Sequence, residues 1–325
     1  MSALLQADAG QLTPITDQYG LGRLLDAHPL APADGPAFGH SYLLRLAQHE
    51  REHSCVLTFF EADELPPASY VSLLDRCEAA GLPVAPPLRT MEGQPYATAM
   101  GAHAMLTRQQ PGRVVFNPTS AQLQAVGRLT GRLHVVSASM DYLLPDFRHT
   151  VSWLRGHEQS LRGLISYPRL DAIREGIRRI QSLLRRQDVS ELPAGVIHGS
   201  LSRSNVRFDP RGLTAVTGFE AAAQGYLLYD LAVAANDWCC DASGTPDVER
   251  IISLLKGYHS VRPLSRPEVW FFPVFTLYAA LNNLLLRLSD PDARRVARFK
   301  SPTELTIALQ RQLRCEFCLD ERLLG

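Results

Sequence analysis

The chain has no excess of charge of either sign: 33 basic residues stand against 33 acidic ones, and the pI is near 7.1. The broad basic footprint of a nucleic-acid binder is therefore missing. A disordered acidic chain is excluded too, because 46% of the residues are hydrophobic. There is no internal repeat and no low-complexity tract. The N-terminus lacks a basic segment followed by an apolar core, so no signal peptide is expected and the expected compartment is the cytoplasm. Long apolar runs are scarce. The longest, Val269 to Leu288, is interrupted by Pro273, Asn282, Asn283 and Arg287, which reads as a buried core helix and not as a membrane span. Cysteine is sparse: Cys55, Cys77, Cys239, Cys240, Cys315 and Cys318 form no disulfide framework. Cys315 and Cys318 make a single CxxC pair, a weak zinc signal without a second pair.

What is there is ordinary globular patterning over 325 residues, enough for one large domain or two lobes. Tyr42–Ala47 and Cys55–Phe60 read as a hairpin with a long polar tip from Gln48 to Ser54. Pro66 and Pro67 open a helix that buries Leu73, Leu74 and Cys77 and ends at Gly81 and Pro83. Val84–Leu88 and His103–Thr107 are further expected strands, and Glu92-Gly93-Gln94 a turn. Beyond about residue 110 the pattern is helical. Thr119 and Ser120 cap one helix, and Leu170–Leu184 forms another with Arg178, Arg179, Arg185 and Arg186 on a solvated face. A strand at Ala194–His198 and a hairpin from Val206–Phe208 to Leu213–Val216 follow. Helices are then expected at Tyr229–Cys239, Asp247–His259, Arg266–Leu288 and Pro302–Leu313. The fold class is α+β.

His49-Glu50-Arg51-Glu52-His53 matches the H-E-x-x-H zinc pattern. That pattern works only when both imidazoles leave one helix face. Here the run lies between two strand-like segments, so a charged hairpin tip is the better reading.

The informative segment is LPAGVIHGSLSRSNVRFDPRGLTAVTGFEAAAQGYLLYDLAVAANDWC, from Leu192 to Cys239. It resembles homoserine kinases of the type related to aminoglycoside and choline kinases, in which a strand runs into H-x-D-L-x-x-x-N. A hairpin, an I-D-F turn and a helix opening with Y-D-L-A follow. CVLTFFEADELPPASY, GLPVAPPLRTMEGQP and the hinge-like stretch Ala104 to Gly112 are also similar to that family, so the resemblance is near full length. It implies a bilobal protein-kinase-like (aminoglycoside phosphotransferase-like) fold. The small sheet-rich N-lobe would span residues 1–108, with a five-stranded type of sheet and one helix. The helical C-lobe would span 109–325 and carry a catalytic-type loop at 198–205 and a turn at 216–220.

The resemblance also assigns roles. His198 fixes the loop, Asp230 braces it from below, and Asn205 is the magnesium-binding asparagine. Gly39 and Ser41, in the phosphate-contacting stretch, with Thr58, Met105 and Thr107, line the nucleotide site. ATP and magnesium are the implied cofactors. Two positions depart from the pattern. Ser200 stands where the family has its catalytic aspartate, and Gly218 where it has the magnesium aspartate. Serine is a poor proton acceptor, and losing a general base costs on the order of 10²–10⁴ in rate. If 218–220 is extended, Glu220 points to the same side as position 218 and stands in for the missing ligand, although a packing carboxylate is the preferred reading. Arg203 reads equally as an anion ligand or a solvated loop residue. The favoured function is a pseudokinase that binds a nucleotide, a small molecule or a protein partner, with no nucleic-acid or membrane role. The alternative is an active ATP-dependent kinase acting on homoserine or a similar amino alcohol. A third, with Ser200 as a nucleophile and His198 as its base, has little support.

Overall fold

The computed structural model describes residues 8–30, 40–49, 51–60, 68–99, 102–140, 144–186, 189–241, 244–289 and 301–314. Gly39, Pro66, Pro67, Cys315 and Cys318 lie outside them. The chain divides into two compact units, Met1–Gly112 with Thr214–Glu220, and Arg113–Leu213 with Ala221–Gly325.

The first unit opens with α1 (Ala9–Asp17), which the sequence reading did not contain. Asp8 caps it, with Gln11 reaching back in a capping box. β1 (Arg23–Pro29), also unexpected, pairs with β2 (His40–Gln48), which pairs with β3 (Arg51–Phe60). After α2 (Ala68–Ala79) come β4 (Ala97–Ala99) and β5 (Ala102–Arg108), giving an antiparallel sheet in the order β1-β2-β3-β5-β4. The β2–β3 hairpin corrects the expected long tip. Pairing continues to Gln48 opposite Arg51, and His49 turns the chain at a left-handed φ of 47°. Polar residues are tolerated in these strand ends because Arg51 and Glu52 are exposed. Of the H-E-x-x-H run, the described residues are His49, which turns the chain, and Arg51–His53 in β3; none of them is helical. Val84–Leu88 is not a strand. It contributes one bridge, Pro87 to Thr107, because Pro86 and Pro87 have no N–H to donate to a ladder.

Alternation places Tyr42, Leu44, Leu46, Cys55, Leu57, Phe59, Ala104 and Leu106 on one sheet face, in a core with Leu12, Ile15 and Tyr19 of α1. The Tyr19 hydroxyl donates to the Ala104 carbonyl at 2.7 Å and accepts the Ala97 N–H at 3.2 Å, so its buried oxygen is satisfied.

The second unit is mainly helical. α3 (Ser120–Ser137) is capped by Thr119 in a capping box with Gln122. α4 (Val151–Ser160), unforeseen, precedes α5 (Tyr167–Arg186). β6 (Ala194–Ile197) leads to the hairpin of β7 (Val206–Asp209) and β8 (Gly212–Val216), of which Thr214–Val216 already belongs to the first unit. β9 (Ala223–Tyr226) then returns to pair with β6. α6 (Leu228–Trp238), α7 (Val248–His259), α8 (Arg266–Ser289) and α9 (Pro302–Arg314) complete it. α3 and α7 cross at two glycines: a Cβ on Gly127 would fall 2.0 Å from the Leu254 carbonyl oxygen, and one on Gly257 2.1 Å from that of Gln124. α8 is long and apolar enough to cross a membrane, but 67% of its most apolar window is buried within the protein, as expected of a core helix.

Candidate active site

β6 ends at Ile197 and delivers the chain to His198, which is fully buried. Asp230, in the first turn of α6, is equally buried and holds the loop entrance. One carboxylate oxygen accepts the His198 N–H at 2.7 Å and the other the Gly199 N–H at 2.8 Å. Gly199 turns here with φ 76°, and a Cβ on it would lie 2.4 Å from the Ala221 carbonyl oxygen. Only glycine meets both conditions.

The support of Asp230 continues away from the loop. His134 Nε2 of α3 lies 3.1 Å from its carboxylate, and His134 Nδ1 lies 2.8 Å from the Tyr258 hydroxyl of α7. Arg262 donates to that hydroxyl at 3.0 Å and to Glu268 at 2.8 Å. Burial acts to raise the Asp230 pKa, but the hydrogen bond and charge of His134, with further help from His198, hold it below its ordinary value. The sequence reading did not find this relay. Its members are scattered over α3, α6, α7 and the start of α8, and no spacing rule joins them.

The far half of the loop is held by Asp237. It accepts the Arg203 N–H at 2.7 Å and Arg203 Nε at 3.2 Å, while Arg203 Nη1 donates to the Phe116 carbonyl at 2.8 Å. Arg203 is thus neither a solvated residue nor an open anion ligand; it is tied down on both sides. Trp238 Nε1 adds a bond to the Leu201 carbonyl at 3.2 Å. Asp237 was also missed as a functional residue, although a signal exists: it lies seven residues after Asp230, two turns along the same helix face.

Between these anchors, the Ser200 N–H donates to His198 Nδ1 at 3.2 Å. That nitrogen carries the lone pair and is already occupied, so it does not serve as a base toward Ser200 Oγ. This removes the support for a serine nucleophile. Asn205 Nδ2 donates to the Ser200 carbonyl at 2.7 Å and approaches Ser200 Oγ at 3.3 Å. The loop thus brings His198, Ser200, Asn205 and Asp230 together as the sequence motif suggested.

In the first unit, Gly218 has φ 85°, and residues Phe219–Ala221 form a 3-10 turn. The extended geometry that would align Glu220 with position 218 is therefore absent. Glu220 is half-buried, burial pushes its pKa up, and its charge is felt by Tyr70 of α2. It behaves as a packing carboxylate. Magnesium is normally held by one or two carboxylates together with phosphate oxygens. In the second unit Ser200 and Asn205 are neutral; in the first, separately, Gly218 has no side chain and the Glu220 carboxyl is biased toward its neutral form. Among the described residues no three His, Cys, Asp or Glu side chains converge. Taken by itself, the loop at 198–205 does not fit such a magnesium site.

Of the expected nucleotide residues, the four described ones share one sheet face, opposite the α1 core, and Gly39 lies outside the described residues. Ser41, Thr58 and Met105 are cross-strand neighbours in one row, and Thr107 follows beside Val56. Ser41 and Thr58 are buried and bond each other through their hydroxyls at 3.1 Å. The chain's lysines are Lys256 and Lys300, so the first unit has none to take over at Thr58.

Comparison with known proteins gives a consistent set of likenesses. The sequence model of a phosphotransferase enzyme family, APH, matches residues 35–264. A homoserine kinase of Methylobacillus flagellatus is 34% identical, covering 93% of this chain and 92% of its own. One from Pseudomonas aeruginosa is 29% identical, covering 96% and 97%. Among solved structures, a microcompartment-associated aminopropanol kinase aligns with TM-score 0.65 at 18% identity, covering 94% of each chain. An AMP-bound spectinomycin phosphotransferase aligns with TM-score 0.69 at 12% identity, covering 93% and 98%. At those identities the structural likeness speaks for the fold alone.

Proposed function

From the premise that this chain belongs to the APH phosphotransferase family and has a homoserine-kinase-like fold, we propose that it is a pseudokinase. It keeps the loop scaffold, transfers phosphoryl groups slowly or not at all, and acts by binding a nucleotide, a small amino alcohol or a protein partner in the cytoplasm. One observation carries the reading: an intact brace, in which Asp230 holds the His198 and Gly199 N–H groups, leads into Ser200, the position to which the resemblance to H-x-D-L-x-x-x-N assigns an aspartate. A scaffold built to aim a carboxylate aims a hydroxyl instead. A hydroxyl neither accepts the acceptor's proton well nor supplies charge for a metal.

A second reading is favoured by lineage. Relatives named homoserine kinase match over more than nine-tenths of the chain, which supports an active ATP- and magnesium-dependent kinase with homoserine as acceptor. The two readings separate in one assay of ADP formation with ATP, magnesium and homoserine. The comparison is between the unmutated protein, a His198→Ala/Asn205→Ala control, and a Ser200→Asp/Gly218→Asp variant. The pseudokinase reading expects the unmutated protein to match the control, and the restored variant to exceed both by about 10² or more. Position 218 admits aspartate because this residue tolerates a left-handed backbone better than most. Turnover in the unmutated protein that vanishes in the control would replace this reading with the active kinase.

A further inference from the structure

α4 and α5 pack against one another in the second unit. Arg155 of α4, Arg162 in the turn just after α4, and Arg174 and Arg178 of α5 stand around a cavity of about 360 Å³ also lined by Glu158 and Gln181.

Glu158 is buried and gives the cluster its rigidity. Arg162 engages both of its oxygens at 3.1 and 3.2 Å, and Arg174 Nε adds a bond at 2.8 Å. Arg155 donates to Gln181 at 2.7 Å, and Arg178 pairs with Glu175 at 2.8 Å. Each guanidinium carries five N–H donors in a fixed fork, so most donors around the cavity remain open. The lining residues carry a net three positive charges.

We propose that this cavity is a binding site for a compact phosphorylated polyanion carrying two phosphoryl groups. Guanidinium forks match phosphate oxygens in pairs. A phosphoryl group brings between one and two negative charges at neutral pH, about twice the charge of a carboxylate in similar space. Two such groups balance the lining within a volume at the small end of ligand pockets. The site lies on α4 and α5, separate from the loop at 198–205, and does not depend on whether that loop supports catalysis.

The test is calorimetric titration of the full chain with inorganic pyrophosphate in magnesium-free buffer, with tricarballylate as a polycarboxylate comparison. The unmutated protein is expected to bind pyrophosphate more tightly than tricarballylate. Arg155→Gln/Arg178→Gln, two exposed positions that leave the Glu158 cluster intact, is expected to weaken pyrophosphate binding by about tenfold or more without shifting Tm. A Ser41→Ala/Thr58→Val variant, altered on the N-terminal sheet face, is expected to bind pyrophosphate as the unmutated protein does. Absence of binding, equal affinity in the arginine variant, or tighter binding of tricarballylate would each overturn the assignment.

Discussion

Asp230 is one carboxylate with three partners, each of which loses a buried bond if the charge goes. Asp230→Asn places an amide N–H₂ against donors. It is expected to lower unfolding free energy by about 3–5 kcal/mol, as when one member of a buried charged set is removed. Its pKa is depressed in the folded protein, so it contributes stability above its ordinary value of 3.8, and that contribution fades as pH falls through the folded value. Urea midpoints of the two proteins should be well separated at pH 7 and converge below about pH 4. An equal gap at both pH values would mean the carboxylate's charge is not what braces the loop. Gly199→Ala faces both a positive φ and the Ala221 oxygen, and should lose more than the ~1 kcal/mol of an ordinary Gly-to-Ala strain at positive φ. At this scale the sequence was most legible where motif and contact coincide: His198, Ser200, Asn205 and Asp230 are adjacent in space as in the motif. His134 and Tyr258 were illegible because a buried polar residue on a helix looks the same whether its partner is a neighbour or lies 96 residues away.

Helix glycines offer a test between elements. Gly156 lies exposed in α4 with nothing within 4 Å of an added Cβ, so Gly156→Ala should stabilise the protein by about 0.5–1 kcal/mol through α4 propensity. Gly257→Ala meets backbone at the α3–α7 crossing and should destabilise it strongly or prevent folding. Thermal melts of both variants check the pair, and a stabilised Gly257→Ala would refute the close crossing. The helices from α5 onward were readable because their apolar period is long and their ends are marked. α1 was hidden by Pro14 within it, and β9 by the small residues Ala223 and Gly225. The Pro83–Leu88 segment shows the reverse error: its apolar residues suggested a strand that its prolines prevent.

For the whole molecule, the absence of a fitting carboxylate set has a thermodynamic signature. On the pseudokinase reading, magnesium added without nucleotide, against a control of matched ionic strength, should leave Tm unchanged, because stabilisation follows affinity for the folded state and the described loop residues offer the cation no carboxylate set. A magnesium-dependent Tm rise would place cation-binding groups on the protein after all. The path of the chain has its own consequence. Thr214–Glu220 belongs to the first unit although residues on both sides of it belong to the second. Within that unit the Val216 N–H bonds the Pro83 carbonyl and the Thr214 hydroxyl that of Pro111, while Ala215, Val216 and Phe219 are buried. Splitting the chain near residue 112 would therefore give two incomplete fragments: an N-terminal one missing a strand it needs, and a C-terminal one carrying that strand without its partners at Pro83 and Pro111. The first unit is completed only after the chain has entered the second, so the two are expected to be inherited together.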